Sequence, residues 1–257
     1  MDFKDNILQL AERIKKQKDA IQTEEATKNA FIMPIITALG YDVFNPFEVV
    51  PEMDCDLTRK GDKIDYAIKK DGRTILLIEC KHCKQNLDLH NTQLSKYYAA
   101  SNARFGVLTN GIEYRFYADL AKTNIMDEKP FLVVNMLDLS DADIEEMKKF
   151  HKSCYNESEI FSTAKELQMM IQIKEIFQSP GDEFTRYFVR SLNNGKSTPK
   201  LIEEYRPIVR KSILSVIGGM ISGRPDTAIL VKEEKPRQAP NDGMAAISDK
   251  QDAVITC

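Results

Sequence analysis

The stretch KIDYAIKKDGRTILLIECKHCKQ, residues 63–85, decides how the rest of the chain is read. It falls into two runs rich in apolar and β-branched residues, separated by Asp71-Gly72, which predicts two antiparallel strands around a turn. From Ile75 to Ile78 the second run is apolar on both faces, the mark of a buried strand. It then meets Glu79 and, two residues on, Lys81. A buried strand should not end in charges that lack partners, so the pair asks for a function. Side chains alternate along a strand, which puts Ile75, Leu77, Glu79 and Lys81 on one face. Where Asp65 points depends on the turn. A two-residue Asp71-Gly72 loop sets Asp65 opposite Ile78, on the other face. A three-residue Lys70-Asp71-Gly72 loop, with Gly72 left-handed, sets it opposite Leu77, diagonal to Glu79 and roughly 7 Å from it between backbones.

Two carboxylates and a lysine at one strand end suit a hard divalent cation. Mg²⁺ takes oxygen ligands, keeps most of its waters and completes its shell with phosphate oxygens, and Mn²⁺ is the alternative. Asp65, Glu79 and the backbone carbonyl of Cys80 are the expected metal ligands. Such an ion lowers the pKa of a bound water and offsets transition-state charge; Lys81 orients or deprotonates that water, or offsets the scissile phosphate. The local charge agrees. The chain has a formal net charge of −3, yet the segment 59–104 holds ten Lys or Arg against five acids. A basic surface on an acidic protein can guide a phosphate backbone to one place.

Around the hairpin the pattern is alternately helical and extended. Phe3, Ile7, Leu10, Ile14 and Ile21 predict an amphipathic N-terminal helix over about residues 1–20. In TEEATKNAFIMPIITALGYD, Thr23 is a helix N-cap, Glu24 and Glu25 favour the first turn, Gly40 ends the helix and Pro34 bends or restarts it. VFNPFEVVPEM reads as a broken strand that Pro46 and Pro51 hold near an edge. A helix in DLHNTQLSKYYAASN follows the hairpin, then two strands joined at Asn110-Gly111, then a strand in KPFLVVNML. A helix between two buried strands is a parallel crossover, so the expected class is α/β, with a mixed sheet flanked by helices. Beyond residue 140 the periodicity is helical throughout, with Met169 and Met170 expected to fill core. From Arg224 the chain turns polar and reads as a flexible tail. The expected organisation is a first domain over 1–140, a helical region over 141–223 and the tail over 224–257.

With Asp65, Glu79 and Lys81 in these positions, KIDYAI followed by TILLIECK resembles the PD-(D/E)xK nuclease motif. TEEATKNAFIMPIITALGYDVFNPFEVVPEM, QLSKYYA and FGVLTNGIEYRFY extend the likeness over about residues 20–137. Together they resemble the nuclease domain at the N-terminus of type I restriction enzyme R subunits, and its small stand-alone relatives in bacteria and prophages. The resemblance implies a restriction-endonuclease-like core and a Mg²⁺-dependent endonuclease acting on DNA, in a restriction or phage-defence system. It implies an acid on the first helix of the core, for which Glu25 is the choice with Glu24 next to it. It also implies a Gln and a Tyr one turn apart on the crossover helix, matched by Gln93 and Tyr97, which position the water or contact phosphates. Lys63, Lys84 and Lys96 complete the expected DNA contacts. Ile64 stands where the superfamily's proline would be.

Other chemistries fit less well. R subunits continue into an ATP-driven motor, but SLNNGKST has Arg190 where a phosphate-binding loop needs glycine, so no ATP is expected. Cys80 and Cys83 have zinc-like spacing without a second ligand pair, and Cys80 faces away from Glu79. The odd set of five cysteines, Cys55, Cys80, Cys83, Cys154 and Cys257, predicts reduced thiols. There is neither a long apolar run nor a signal-peptide core, so no membrane association and a cytoplasmic location are expected. The rival function is a nucleic-acid-binding or assembly module on the same fold, not catalytic or dependent on a partner. A homodimer or a place in a restriction complex is the expected assembly.

Overall fold

The computed structural model describes residues 2–54, 63–89 and 91–222. Cys55, Arg59, Lys60, His90, Cys257 and the polar stretch from Arg224 lie outside the described residues. Helix α1 spans Phe3–Gln17 and buries Ile7 and Ile14. It continues through a 3-10 turn, Lys18–Ala20. Thr23 then caps α2, Glu24–Thr27, by accepting the Ala26 amide at 3.0 Å. The helix widens into a π turn over Lys28–Ile32 before α3, Met33–Ala38. Pro34 explains why a break falls here: it has no N–H to offer the Ala30 carbonyl one turn back. Arg13 of α1 fills the gap, its Nη2 donating to Ala30 O at 2.6 Å.

Six strands follow in chain order across one sheet: β1 Val49–Asp54, β2 Lys63–Lys70, β3 Arg73–Cys80, β4 Phe105–Thr109, β5 Glu113–Ala118 and β6 Leu132–Asn135. β3 and β4 pair parallel, joined through helix α4, Asn91–Ala100, and the other neighbours pair antiparallel. Strand β1, with Pro51 inside it, is an edge, where a missing N–H is tolerated. Pro46 lies outside it, in the preceding turn.

Each face of the sheet has its own core. Ile64, Ala67, Leu77 and Leu108 pack with Leu94, Tyr97 and Tyr98 of α4. On the other face Tyr66, Ile68, Leu76, Ile78, Phe105 and Phe116 pack with the apolar residues of α1 and α3. This second core also takes residues beyond 140. Helix α5, Asp141–Lys148, contributes Ile144 and Met147, and Phe150 behind it stacks edge-on to Phe105 with centroids 5.5 Å apart. Helix α6, Glu157–Gln178, adds Ile160 and Ala164.

The chain divides into two compact units at Ser179/Pro180, so α5 and α6 belong with the sheet, and residue 140 marks only where the strands end. Past its first turns α6 outruns the core. Met169 and Met170 are 56 % and 60 % exposed, which corrects the expectation that they fill it. In the second unit α7, Asp182–Leu192, and α8, Pro199–Ser222, bury Thr185, Val189, Ile202 and Val209, and Asp182 pairs with Arg206. No helix among the described residues is long and apolar enough to cross a membrane.

Candidate active site

The β2–β3 turn has two residues, not three. Asp71 and Gly72 are both left-handed, φ 52° and 76°, and Lys70 faces Arg73 directly across them. The expected three-residue loop is therefore corrected, as is the pairing it implied, because Leu77 faces Ala67. A bulge makes the shift instead. Lys69 faces Thr74 but Ile68 faces Leu76, leaving Ile75 as the extra residue. Carried one step past Tyr66 and Ile78, this register sets Asp65 level with Glu79, across from it rather than diagonal.

A second irregularity falls at Asp65 itself. Ile64 packs in the same core as Ala67, whereas strict alternation would put it with Tyr66. Opposite this point on β1, Glu52 has φ 47°, between the pairs Pro51–Tyr66 and Met53–Ile64. The Asp65 carboxylate is held from two sides. Its Oδ2 accepts the Cys80 amide at 2.6 Å and its Oδ1 lies 2.5 Å from Lys28 Nζ. Lys28 is a site residue that sequence reasoning missed. It sits on the π turn, mostly buried, and also pairs with Glu25 at 3.0 Å and Glu24 at 3.7 Å. Its only sequence signal was the spacing of three and four from the two helix acids, which reads as ordinary helix pairing. Burial pulls the Lys28 ammonium down, but hydrogen bonds to Asp65 and then Glu25 outweigh it and raise its pKa.

Glu79 is 1 % exposed. Its Oε1 accepts Lys81 Nζ at 2.5 Å, while Oε2 is buried with no hydrogen-bond partner. Burial first, and the Asp65 charge second, push the Glu79 carboxyl up to about 7 against the pull of Lys81. Lys81 also moves up: burial lowers it, and the Glu79 hydrogen bond and charge more than offset that. The two shifts have one meaning, a buried carboxylate with more negative surroundings than its single lysine neutralises. The helix acid whose charge reaches both residues is Glu24; Glu25 is outermost and turned to Lys28.

The remaining expected residues divide. Gln93 donates from Nε2 to Lys63 O at 2.8 Å, tying α4 to the start of β2 two residues before Asp65. Lys63 pairs with Glu52 at 2.9 Å, and Lys84 and Lys96 are exposed. Tyr97, read as a DNA contact, is 1 % exposed inside the core under α4, where no phosphate reaches it. Spacing could not reveal this: the face Tyr97 shares with Gln93 turns inward within one helical turn. The Cys80 side chain is buried in the opposite core, as alternation requires, and Cys80, Cys83 and Cys154 are free thiols.

The donor set is one of oxygens: Asp65, Glu79 with its unpartnered Oε2, and the strand-end backbone. That fits a hard divalent cation, which needs only one or two carboxylates beside water and substrate oxygens. Among the described residues there is no cluster of three or more His, Cys, Asp or Glu placed to hold an ion by themselves.

The fold built around this hairpin is α/β and restriction-endonuclease-like, a mixed six-stranded sheet with flanking helices and a helical C-terminal part. Residues 45–125, which span β1 to β5, match the family described as Type I restriction enzyme R protein N terminus, in keeping with the family resemblance read from the sequence. No curated protein and no solved structure matches the chain significantly.

Proposed function

We propose that the protein is a Mg²⁺-dependent endonuclease of the PD-(D/E)xK type that hydrolyses DNA phosphodiester bonds within a restriction or phage-defence system. The observation that carries this reading is Glu79, a carboxylate removed from water at the end of an apolar strand, with one oxygen unpartnered beside Asp65. Such a group lowers stability, and perturbed carboxylates of this kind collect where chemistry is done. The fit of residues 45–125 to a restriction-subunit domain points the same way.

In this reading Asp65 and Glu79 hold the cation, together with the Cys80 carbonyl. The bound ion supplies an acidified water and charge neutralisation at the phosphate. Lys81, which donates to Glu79, would orient or deprotonate the attacking water or offset the charge of the scissile phosphate. Lys28 neutralises Asp65 and aligns it against the Cys80 amide. Gln93 steadies the start of β2, and Glu24 closes the helix side of the site. Lys63, Lys84 and Lys96 meet the backbone of the DNA.

The experiment is nicking of supercoiled plasmid and of single-stranded DNA in Mg²⁺ or Mn²⁺. The wild type should cut, and Lys81→Ala should lose about a hundredfold or more in rate while still binding DNA. Cutting by both proteins would overturn the assignment of Lys81. DNA binding by a wild type that cuts no substrate with either metal would favour the rival, a non-catalytic or partner-dependent module.

A further inference from the structure

The two most exposed of the large apolar side chains among the described residues are Phe44 at 86 % and Phe47 at 84 %. They stand on the turn before β1, and the turn is not loose. Asp42 Oδ1 accepts the Phe44 amide at 2.9 Å and Asn45 Oδ1 accepts the Phe47 amide at 3.0 Å. Glu48 clamps the base. Its carboxylate accepts the Asp42 amide at 3.1 Å and Asn45 Nδ2 at 3.2 Å and pairs with Lys152 at 2.8 Å, while its carbonyl accepts the Lys69 amide at 2.7 Å. Two phenyl rings are thus held out in water by a braced backbone, which a folding argument does not explain.

Beside Phe47 lies an open cavity of about 560 Å³ lined by Glu48, Lys69, Lys70, Asp71, His151 and Lys152 among others. Glu48 is already spoken for by Lys152. Lys70 reaches only carbonyl oxygens, of Lys152 and Tyr155 at 3.3 Å, and the Tyr155 ring. Among the described residues neither Lys69 nor Lys70 forms an ion pair, and around the cavity Lys69, Lys70 and Lys152 stand against the acids Glu48 and Asp71, which leaves its lining weakly positive. Phe47 lines the cavity with Glu48 and these lysines. Exposed aromatic faces beside lysines suit a strand of bases and phosphates.

We propose that the Phe44–Phe47 turn is a second nucleic-acid site, a stacking platform for single-stranded DNA or RNA, with Lys69 and Lys70 against its phosphates. It lies at the opposite end of β2 from Asp65. Four residues of strand separate Asp65 from Lys69, roughly 13 Å. The platform is therefore a place distinct from the carboxylates, and it acts on substrates with an unpaired segment.

The test is binding alone, in EDTA, so that it stands whether or not the protein cuts DNA. The probe is a fluorescein-labelled oligothymidylate of about fifteen nucleotides, near the upper site size of such modules. Phe44→Ala/Phe47→Ala should weaken its binding by about twentyfold or more and leave duplex binding within about twofold. Lys69→Ala should weaken it too, and flatten the salt dependence by about 0.7 in the log–log slope. The chain has no tryptophan, so Phe47→Trp keeps the stacking face and adds a reporter. Its fluorescence should be quenched by the unlabelled oligomer. The proposal is overturned by an alanine double variant that binds the oligomer within about twofold of wild type. Equal losses on single strand and duplex, or an unquenched tryptophan, would overturn it as well.

Discussion

Gly72 and Gly111 share a backbone conformation and differ in surroundings, so together they separate a conformational cost from a packing cost. φ is 76° at Gly72 and 78° at Gly111. Alanine at either meets the left-handed penalty, about 1 kcal/mol. Nothing lies within 4 Å of a Cβ placed on Gly72, whereas one on Gly111 falls 2.9 Å from Phe31 Cβ and 3.0 Å from Thr27 Cγ2. Neither atom can rotate away. Phe31 Cβ is fixed by its backbone, and the Thr27 side chain is held where its hydroxyl donates to Thr23 O and accepts the Cys83 amide. The β4–β5 turn must therefore lift from the π turn, adding about 1–3 kcal/mol of overpacking. Gly72→Ala should lose about 1 kcal/mol and Gly111→Ala about 2–4 kcal/mol, read from urea midpoints at unchanged m by circular dichroism. Thr27 and Phe31 flank Lys28, so Gly111→Ala should also loosen the Lys28–Asp65 pair and slow plasmid nicking, which Gly72→Ala leaves unchanged. Equal destabilisation of the two variants, within about 0.5 kcal/mol, would refute the close docking of the turn on the π turn.

Arg13→Ala should cost about 1–2 kcal/mol by leaving Ala30 O without a donor, and less in a Pro34→Ala background, where residue 34 regains an amide; an additive cycle would refute the compensation. Glu79→Gln should stabilise the metal-free protein at pH 8 by up to about 3 kcal/mol, the worth of a carboxyl raised from 4.5 to about 7. The sign follows from a raised carboxyl: its contribution is full below pH 4.5 and lost as pH rises through about 7, so the two proteins should converge in urea melts at pH 4.5. A loss of stability at pH 8 would show that the Lys81 ion pair outweighs the burial. Glu48 behaves in the opposite sense. Its hydrogen bond from Lys152, and then that from the Asp42 amide, hold it below the ordinary 4.5, so its contribution is present above that pH and lost as pH falls through the lowered value. Hydrogen exchange at Asp42, corrected for intrinsic rates, should speed up in acid, and Glu48→Gln should remove the change.

Much of the fold was legible because the punctuation is local. Thr23 as cap, Asp71-Gly72 and Asn110-Gly111 as turns, and the prolines of the β1 region act through their own φ, ψ and missing amides. The apolar run 75–78 with a helix after it sufficed for a parallel crossover. Met169 and Met170 misled because periodicity reports an apolar helix face without saying how far the core beneath it extends. Tyr97 misled for a related reason, since one helical face can turn from site to core within a turn.

The sequence by itself determined the residue types of the candidate site: an aspartate on one strand and a glutamate and lysine at the end of the next, with no apolar explanation for any of them. Only the tertiary structure decided the register that brings them together. A one-residue bulge at Ile75 sets Asp65 level with Glu79, and a slip of one residue would have turned it to the other face. Tertiary packing also supplied Lys28, whose approach to Asp65 depends on a π turn that forms where Pro34 withholds an amide and Arg13, from another helix, replaces it. Such long-range contacts leave no period or spacing in the chain, because they are made between elements whose distance apart is set by packing and not by sequence.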